Sequence, residues 1–528
     1  MSAQPLVLED SPRTIPPADP VAAPESLFLP NNKTGRFLVI GLMFLAAFAV
    51  RIYRIDNIDH TPMRQIRSAM IARFFYYQNN PSIPDWEKEV AQSHVKQQGI
   101  IEMPVMERLA AYFYGLAGGE KLWIPRLLSV VWWLLGGLFL YRTMKLLSSE
   151  SAAALATAFY LFTPFGGLVS RNFQPDPLMV MGLLASVYAM SRYFMEPSFS
   201  RLALTAALSG AAALFKPQCV PVVVSAFSAL AVWRHGWSFR AFKTVALFGL
   251  GLMAVGMTYY FYRAFAGSFS YYKIGTFLNP KLIAHPAFWA GWLAQIFLTV
   301  GFTAFAGGLL GLFFPRHGAD RALVSGLWAG YVVFSLAFPY QASTHDYYQL
   351  MLIPIVGMSL TPVLLALWQI TARVVPSHSL RCWLFGGCLI LGTAGVGIRI
   401  MQANYDRHGR WQKNEKLIAP EIGEIVKHST RTVFLSISGG VPLQYYGKIR
   451  GSDLPYMTEA LSTYMNLQSD YSPAEYLKGQ IPAPEYFIVT EILEYARRPR
   501  LQEFFDKNYP LIARTPAYLV YDLRNRQQ

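Results

Sequence analysis

Long apolar segments separated by short polar links occupy residues 37–400. Three of them, Phe37–Tyr53, Leu122–Tyr141 and Ser151–Val169, have the length that a helix needs to cross roughly 30 Å of hydrocarbon. About eleven such spans are predicted in all. The others lie near residues 178–195, 202–215, 218–233, 244–264, 288–314, 322–338, 350–369 and 382–400. The pattern therefore predicts a polytopic α-helical membrane domain.

The charges in the links predict which side of the membrane each link faces. Short basic links alternate with longer links of mixed charge, and the basic ones contain Arg142 and Lys145, Arg192 and Arg201, Arg234 and Arg240, Arg316 and Arg321, and Arg373 and Arg381. Because cytoplasmic loops carry an excess of positive charge, the basic links are predicted to be cytoplasmic and the others to face outward. Arg201 and Arg234 flank an apolar stretch that is long for one span, which favours a hairpin with Lys216 at its outward tip.

The two ends of the chain differ in character. Residues 1–36 are rich in Pro, Ala and Ser without apolar periodicity, which predicts a disordered cytoplasmic tail before an uncleaved first span. With an odd number of spans, residues 401–528 lie outside, in the periplasm if the membrane is a bacterial inner membrane. This part is more polar, and its strand-like and helical segments are Thr432–Ile437, Tyr486–Thr490, Pro499–Lys507 and Tyr518–Tyr521. They predict a small extracytoplasmic α/β domain, in which Gly439-Gly440 forms a plain turn.

The overall charge does not indicate nucleic acid as a partner. The formal net charge is +15, but much of the positive charge lies in the cytoplasmic links, where membrane topology accounts for it. Cys219, Cys382 and Cys388 lack the spacing of a zinc site, and no internal repeat of a transporter kind is evident. The sequence firmly implies no cofactor and leaves a divalent metal open.

The longest outward loop, residues 54–121, contains two amphipathic stretches. Met63–Tyr77 carries Arg64, Arg67 and Arg73 at near-helical spacing, and Pro104–Leu116 follows later. Such helices can lie flat at the membrane interface. The loop also supplies carboxylates that could act as a general base, among them Asp59, Asp85 and Glu102. Glu102 is the most informative of these because Pro104 fixes a helix start just after it, although ordinary helix capping is an equal alternative.

Three further outward sites combine charges with aromatic or apolar neighbours. The turn from Arg171 to Asp176 contains two charges, Lys216 lies at the tip of an apolar hairpin, and His345-Asp346-Tyr347-Tyr348 precedes another span. A lysine at membrane depth needs an anionic partner, for which a lipid headgroup is suitable. Capping by Asp176 and an aromatic belt at the tyrosines are the simpler explanations.

The order of these features resembles a known family. The motifs are Glu102-Met103-Pro104, Pro125-Arg126-Leu127-Leu128-Ser129, the turn ending at Asp176, Lys216 after an apolar run, and His345-Asp346-Tyr347-Tyr348 with Pro354 following. Across roughly residues 37–370 the chain resembles the bacterial branch of glycosyltransferase family 39. Relatives of that branch are the protein O-mannosyltransferases and the aminoarabinose transferase of lipid A, integral membrane enzymes of the GT-C class.

The resemblance implies a GT-C type fold and an inverting transfer of sugar from a polyprenyl-phosphate donor to a lipid, glycan or protein acceptor at the outer face. By position, Glu102 matches an acid of the family, Asp176 the acid that opens the fourth span, and Lys216 the lysine that meets the donor phosphate. Many relatives have an Asp-Glu pair where this chain has Arg64-Gln65. The base is therefore expected to be Glu102, with Asp85 and Asp59 as alternatives. The remaining candidates for substrate binding are Arg64, Arg67, Arg126, Arg171, His345, Asp346, Tyr347 and Tyr348.

Two other functions remain open at this point. A lipid-linked glycan flippase or transporter would place polar residues at mid-bilayer, and such residues are not evident in the spans. A glycan ligase or polymerase would use the same outward geometry as a sugar transferase. Membrane lipids are expected partners under each of the three readings.

Overall fold

The computed structural model describes residues 27–58, 62–265, 277–316, 318–405, 407–454 and 472–526. Up to residue 405 these residues form α-helices and two short 3₁₀ helices, at Pro217–Cys219 and Asp346–Met351. The α-helices are α1 (Lys33–Ile52), α2 (Pro62–Gln78), α3 (Asp85–Gln98), α4 (Val105–Leu116), α5 (Trp123–Leu147), α6 (Glu150–Phe162), α7 (Pro164–Val169), α8 (Asp176–Met195), α9 (Phe199–Phe215), α10 (Val220–His235), α11 (Phe239–Gly256), α12 (Thr258–Phe265), α13 (Pro280–Ala284), α14 (Pro286–Val300), α15 (Phe302–Leu310), α16 (Gly318–Ala337), α17 (Pro339–Thr344), α18 (Leu352–Val374) and α19 (His378–Tyr405). Every predicted span falls on one or two of these helices.

Seven of the described helical segments are long and apolar enough to cross a membrane. They are Lys33–Ile52, Trp123–Leu147, Asp176–Met195, Pro217–His235, Phe239–Gly256, Asp346–Val374 and His378–Gln402. Helices α14 and α15, bent by 94° at their junction, form an eighth if they are counted as one span. The predicted segments near 151–169 and 202–215 correspond to shorter apolar helices, α6 and α9. The chain is a multi-pass membrane protein.

The first helix begins before the predicted start of the membrane domain. Asn32 accepts a hydrogen bond from the Gly35 amide at 2.6 Å, which caps α1 at Lys33. Arg36 forms an ion pair of 2.5 Å with Glu150. Residues 27–36 are thus structured, and the prediction of a disordered tail through residue 36 is wrong for them. The rest of that predicted tail lies outside the described residues.

Close packing of α10 against α16 positions the hairpin that carries Lys216. A Cβ atom at Gly330 would lie 2.4 Å from the Val222 Cα atom, and one at Gly326 would lie 2.8 Å from the Ala226 Cα atom. Only glycine allows the two backbones to approach so closely, as is common for helices that pack within membranes. The predicted hairpin is observed, with α9 and α10 meeting at Lys216.

The C-terminal part is an α/β domain, as predicted. It contains α20 (Arg407–Ile425), β1 (Thr432–Leu435), a 3₁₀ turn at Ile437–Gly440, α21 (Val441–Gly447), β2 (Gly451–Asp453), α22 (Pro473–Gly479), β3 (Tyr486–Val489), α23 (Ile492–Ala496), α24 (Pro499–Asn508), β4 (Leu511–Arg514) and β5 (Leu519–Asp522). The strand order is β2-β1-β3-β5-β4, with β1 parallel to β2 and β3 and the other pairs antiparallel. Strands β2 and β4 were not predicted from the sequence. Strands β1 and β3 are buried along their whole length, whereas the edge strand β4 is largely exposed.

The C-terminal domain rests on the long loop before α5. His94 of α3 hydrogen-bonds the Ile449 carbonyl oxygen at 2.7 Å, and Arg73 of α2 donates to the Tyr445 carbonyl oxygen at 2.6 Å. Ile66 and Met106 pack in one apolar cluster with Tyr445. Loop and domain therefore lie at the same end of the molecule. The predicted amphipathic helices at Met63–Tyr77 and Pro104–Leu116 are observed as α2 and α4, whereas α3 was not predicted.

Candidate active site

The first part of the site is an ion pair within the long loop. Arg64 lies in the first turn of α2, and Glu102 lies just before α4. The Arg64 Nη2 atom is 2.8 Å from the Glu102 Oε2 atom, and 15% and 10% of the two side chains are exposed. The two helices pack through Ile66 and Met106. The fold thus brings together residues that are 38 positions apart.

Glu102 does not act as a helix cap. Pro104 occupies the N-cap position of α4, and no side chain caps that helix. Burial by itself would raise the pKa of the Glu102 carboxyl, but Arg64 and then Lys216 lower it more, so that the pKa lies below its usual range. Glu102 is therefore ionised at neutral pH. Helix capping is therefore excluded as the role of Glu102. Its side chain is a carboxylate paired with the cation of Arg64.

The second part of the site is a buried ion pair at the hairpin tip. The Lys216 Nζ atom is 2.6 Å from the Asp176 Oδ1 atom, and only 1% and 0% of the two side chains are exposed. Asp176 is the first residue of α8, but it does not cap that helix. The same ammonium group lies 3.8 Å from the centre of the Tyr348 ring and 4.9 Å from that of Tyr347. Lys216 is thus held by one anion and two aromatic rings.

The two ion pairs form one charged cluster, defined here as Arg64, Glu102, Asp176 and Lys216. Lys216 is near enough to lower the pKa of Glu102, after the larger effect of Arg64. Burial alone would lower the pKa of Arg64, but Glu102 raises it most, followed by Tyr347, Glu107 and Asp176. The two carboxylates and two cations of the cluster therefore act on one another within one buried region, where Glu107 and Arg67 are further charged neighbours. A region of this kind can bind a phosphate through its cations and a proton through a carboxylate.

Three other predicted substrate-binding arginines bind backbone carbonyl groups. Arg171 donates to the carbonyl oxygens of Tyr53 and Arg54, each at 2.7 Å. Arg126 donates to the Asn57 carbonyl oxygen, and Arg67 to those of Gln98 and Gly99. Arg171 and Arg126 are fully buried. These arginines therefore hold the backbone around the charged cluster in place through hydrogen bonds to its carbonyl groups.

The remaining predicted residues differ in their positions. His345 packs edge-on against Tyr347 and Tyr348 next to Lys216, and Asp346 begins the 3₁₀ helix that follows. Asp85 is fully exposed at the start of α3, where it faces Lys88 at 3.5 Å. The fold does not bring Asp85 into the charged cluster. Asp59 lies outside the described residues.

Two buried amide side chains of the site, those of Gln65 and Gln174, were not identified from the sequence. Gln65 accepts a hydrogen bond from the Phe173 amide at 3.0 Å and donates to the Asn172 Oδ1 atom at 3.2 Å, which ties α2 to the turn before Asp176. Gln65 lies four residues before the buried Ala69 and so on the same, buried face of α2. A polar residue on that face was the sequence signal that could have identified Gln65 as a site residue.

Gln174 is the other unidentified residue. It is fully buried, and neither of its amide atoms has a hydrogen-bond partner among the described residues. The same holds for the Asp176 Oδ2 atom, two positions further along. A buried polar atom without a partner is costly, so these atoms are suited to accept or donate bonds to a polar ligand.

No group of three or more His, Cys, Asp and Glu side chains that could hold a metal ion occurs in the parts of the chain that the structure describes. The site consists of cations, carboxylates, an amide and tyrosine rings.

Comparison with known proteins identifies the class of the fold. The crystal structure of ArnT from Cupriavidus metallidurans bound to undecaprenyl phosphate matches with a TM-score of 0.61 at 14% identity, over 93% of this chain and 98% of that chain. The apo structure of that protein gives 0.59 at 15% identity, over 92% and 98%. Arabinofuranosyltransferase AftD from Mycobacteria gives 0.52 at 13% identity, over 92% of this chain and 40% of that chain. The chain has the fold of the GT-C type glycosyltransferases.

The sequence is also similar to one family within that class. The model of the family described as dolichyl-phosphate-mannose-protein mannosyltransferase matches residues 102–263. This segment begins at Glu102 and includes Asp176 and Lys216. Among curated proteins, none matches the chain. The resemblance to the protein O-mannosyltransferases and their relatives is confirmed.

Proposed function

We propose that the protein transfers a sugar from a polyprenyl-phosphate donor to a lipid, glycan or protein acceptor. The observation that carries this proposal is the charged cluster, in which the buried Lys216–Asp176 pair lies beside the Arg64–Glu102 pair at the end of the bundle covered by the long loop. A ligand such as the undecaprenyl phosphate bound to ArnT presents an anion at the end of a long apolar chain. Lys216, a cation at the end of the apolar helix α9, matches both parts of such a ligand.

The chemistry assigns a role to each charge. The acceptor hydroxyl oxygen attacks the anomeric carbon of the sugar while the bond from that carbon to the phosphate oxygen breaks. The electron pair of the broken bond stays on the lipid phosphate, where Lys216 and Arg64 stabilise the added charge. Glu102 takes the proton of the acceptor hydroxyl. Attack opposite the leaving phosphate inverts the anomeric carbon.

Donor use is the direct test of this function. The purified protein in lipid nanodiscs is given a radiolabelled sugar on polyprenyl phosphate and an envelope extract as acceptor. We expect it to release polyprenyl phosphate and to label one acceptor class. Mass spectrometry of lipid A, glycans and glycoproteins from a deletion strain would then show which acceptor loses the same sugar. Movement of the intact donor across the bilayer without release of phosphate would instead indicate a flippase. A change in polysaccharide chain length would indicate a ligase or polymerase.

Sidedness is the second expectation that this function creates. The charged cluster and the C-terminal domain are proposed to lie on the periplasmic side of a bacterial inner membrane, since the basic links are at the other ends of the spans. A reporter that is active only outside the cytoplasm is expected to be active when fused after Gln402 and inactive when fused after Arg240. The reverse result at either position would place the cluster in the cytoplasm and contradict transfer at the outer face.

A further inference from the structure

A cavity of about 650 Å³ lies between the long loop and the C-terminal domain. Its walls come from α2, α3, the turn between α4 and α5, α20 and α21, and they include Tyr76, Glu87, Gly119, Trp123, Tyr446 and Lys448. No residue of the charged cluster lines it. The cavity is therefore a separate site, to which neither the sequence motifs nor the reaction chemistry assigns a role.

The walls combine balanced charge with aromatic rings. Three carboxylates, those of Asp56, Glu87 and Glu120, are matched by three cations. The cations are Arg73, Lys416 and Lys448. Four tyrosine rings line the same cavity, those of Tyr76, Tyr77, Tyr445 and Tyr446. A purely anionic ligand would be repelled by the carboxylates, and an apolar ligand would bury the charged groups without partners. Neither kind of ligand therefore matches these walls.

One wall of the cavity is a rigid hydrogen-bonded unit. The Arg73 Nε atom donates to both Glu120 oxygens, at 2.8 and 3.0 Å, and the Tyr445 hydroxyl donates to Glu120 at 3.0 Å. The Arg73 guanidinium also stacks 3.8 Å from the centre of the Tyr445 ring. Burial would raise the pKa of Glu120, but Arg73 outweighs that effect and holds it below the usual range. The carboxylate is thus charged and fixed before any ligand arrives, which favours binding.

The cavity lies where a membrane-bound acceptor could reach it. Trp123 is the first residue of the α5 span, and tryptophans at span ends lie at the level of the lipid headgroups. Helix α2 passes from the charged cluster at Arg64 to the cavity at Arg73. Nine residues of α-helix correspond to about 13 Å. A ligand in the cavity could therefore extend to the charged cluster.

We propose that this cavity binds a saccharide unit of the acceptor and so makes the acceptor a glycan or glycolipid. A sugar hydroxyl both donates and accepts hydrogen bonds, which suits a wall with as many carboxylates as cations. The C–H face of a pyranose ring packs on tyrosine rings such as Tyr76 and Tyr446. This inference rests on the proposed function, because the bound saccharide is an acceptor only if the protein transfers a sugar. Binding of a saccharide to the cavity can be tested independently of that function.

Two glycines provide a matched pair of variants. A Cβ atom at Gly119 or at Gly115 would meet no heavy atom within 4 Å, and only Gly119 lines the cavity. Gly119→Trp is therefore expected to place an indole ring in the cavity, and Gly115→Trp to place the same side chain on the nearby surface of α4. Neither residue belongs to the charged cluster. Equal thermal unfolding midpoints would show that both variants fold.

The probe is an array of neutral, amino-substituted and phosphorylated oligosaccharides, applied to the full-length protein in nanodiscs. We expect the parent and Gly115→Trp to bind one or more saccharides, and Gly119→Trp to bind them at least about tenfold more weakly. Polyprenyl phosphate binding is expected to be equal in all three. In transfer assays, Gly119→Trp should raise the KM for the acceptor and leave that for the donor unchanged.

Three outcomes would contradict the saccharide site, and a fourth would contradict only the proposed transferase function. Absence of array binding by the parent, or equal binding by Gly119→Trp, would show that the cavity does not recognise saccharides. Displacement by inorganic phosphate, but not by the free oligosaccharide, would show that it recognises an anion. Displacement by vesicles without glycolipid would show that it recognises the lipid. If donor turnover fails while saccharide binding depends on Gly119, the saccharide site stands and the transferase function falls.

Discussion

Replacement of Glu102 by glutamine is expected to lower the rate of sugar transfer by about a hundredfold or more, the effect of losing a general base. The carboxylate lies 2.8 Å from the Arg64 guanidinium and is ionised at neutral pH. Arg64 also makes it a weaker base, which places the expected loss near the lower end of the usual range of about a hundredfold to ten-thousandfold. The measurement is single-turnover transfer from a polyprenyl-phosphate sugar.

Asp85→Asn is the matched control because Asp85 belongs to the same loop but is fully exposed and apart from the charged cluster. It should keep the parent rate. A Glu102→Gln protein that melts near the parent temperature and retains more than about a tenth of the rate would contradict the assignment of Glu102 as the base.

The pH dependence of transfer gives a second readout of the same group. Although burial opposes it, Arg64 and Lys216 hold the pKa of Glu102 below its ordinary value of 4.5. A base is active only when deprotonated, so the activity that depends on Glu102 is present above its pKa and is lost as the pH falls through it. The acid limb of the rate profile is thus expected below pH 4.5. An acid limb near neutral pH would point to a different group.

Loss of the buried Lys216 charge is expected to abolish most donor use. Removing Lys216 alone would leave Asp176 buried without its partner, at a cost of about 3–5 kcal/mol in stability. The informative variant is therefore Lys216→Met with Asp176→Asn, which removes both charges and keeps similar volumes. We expect it to fold and yet to lose donor affinity by about 2–5 kcal/mol, the range for a buried charge pair. Binding of polyprenyl phosphate to purified protein measures this loss.

The single variant Lys216→Arg separates charge from geometry. It keeps the positive charge but changes its reach and shape, so partial recovery of donor use is expected. If the double variant transfers sugar normally at a normal protein level, the pair serves only to hold α8 against the hairpin.

Local patterns in the sequence predicted most of the elements. Apolar segment length identified the spans, and arginines at both ends of one long stretch identified the hairpin with Lys216 at its tip. Amphipathic periodicity predicted α2 and α4 almost to their ends. Three of the five strands were predicted because they are runs of β-branched and aromatic residues. Helix α3 was missed because its charged sequence shows little apolar periodicity.

The sequence by itself thus determined the membrane class of the chain, the resemblance to a family and which residues carry the candidate chemistry. Only the tertiary structure decided how those residues pair. In the structure Glu102 pairs with Arg64, and Asp176 pairs with Lys216. Arg126 and Arg171 donate hydrogen bonds to backbone carbonyl groups, and Asp85 is exposed to solvent. Hydrophobic periodicity reports the environment of one helix at a time, whereas an ion pair between residues 38 or 40 positions apart depends on how several helices pack.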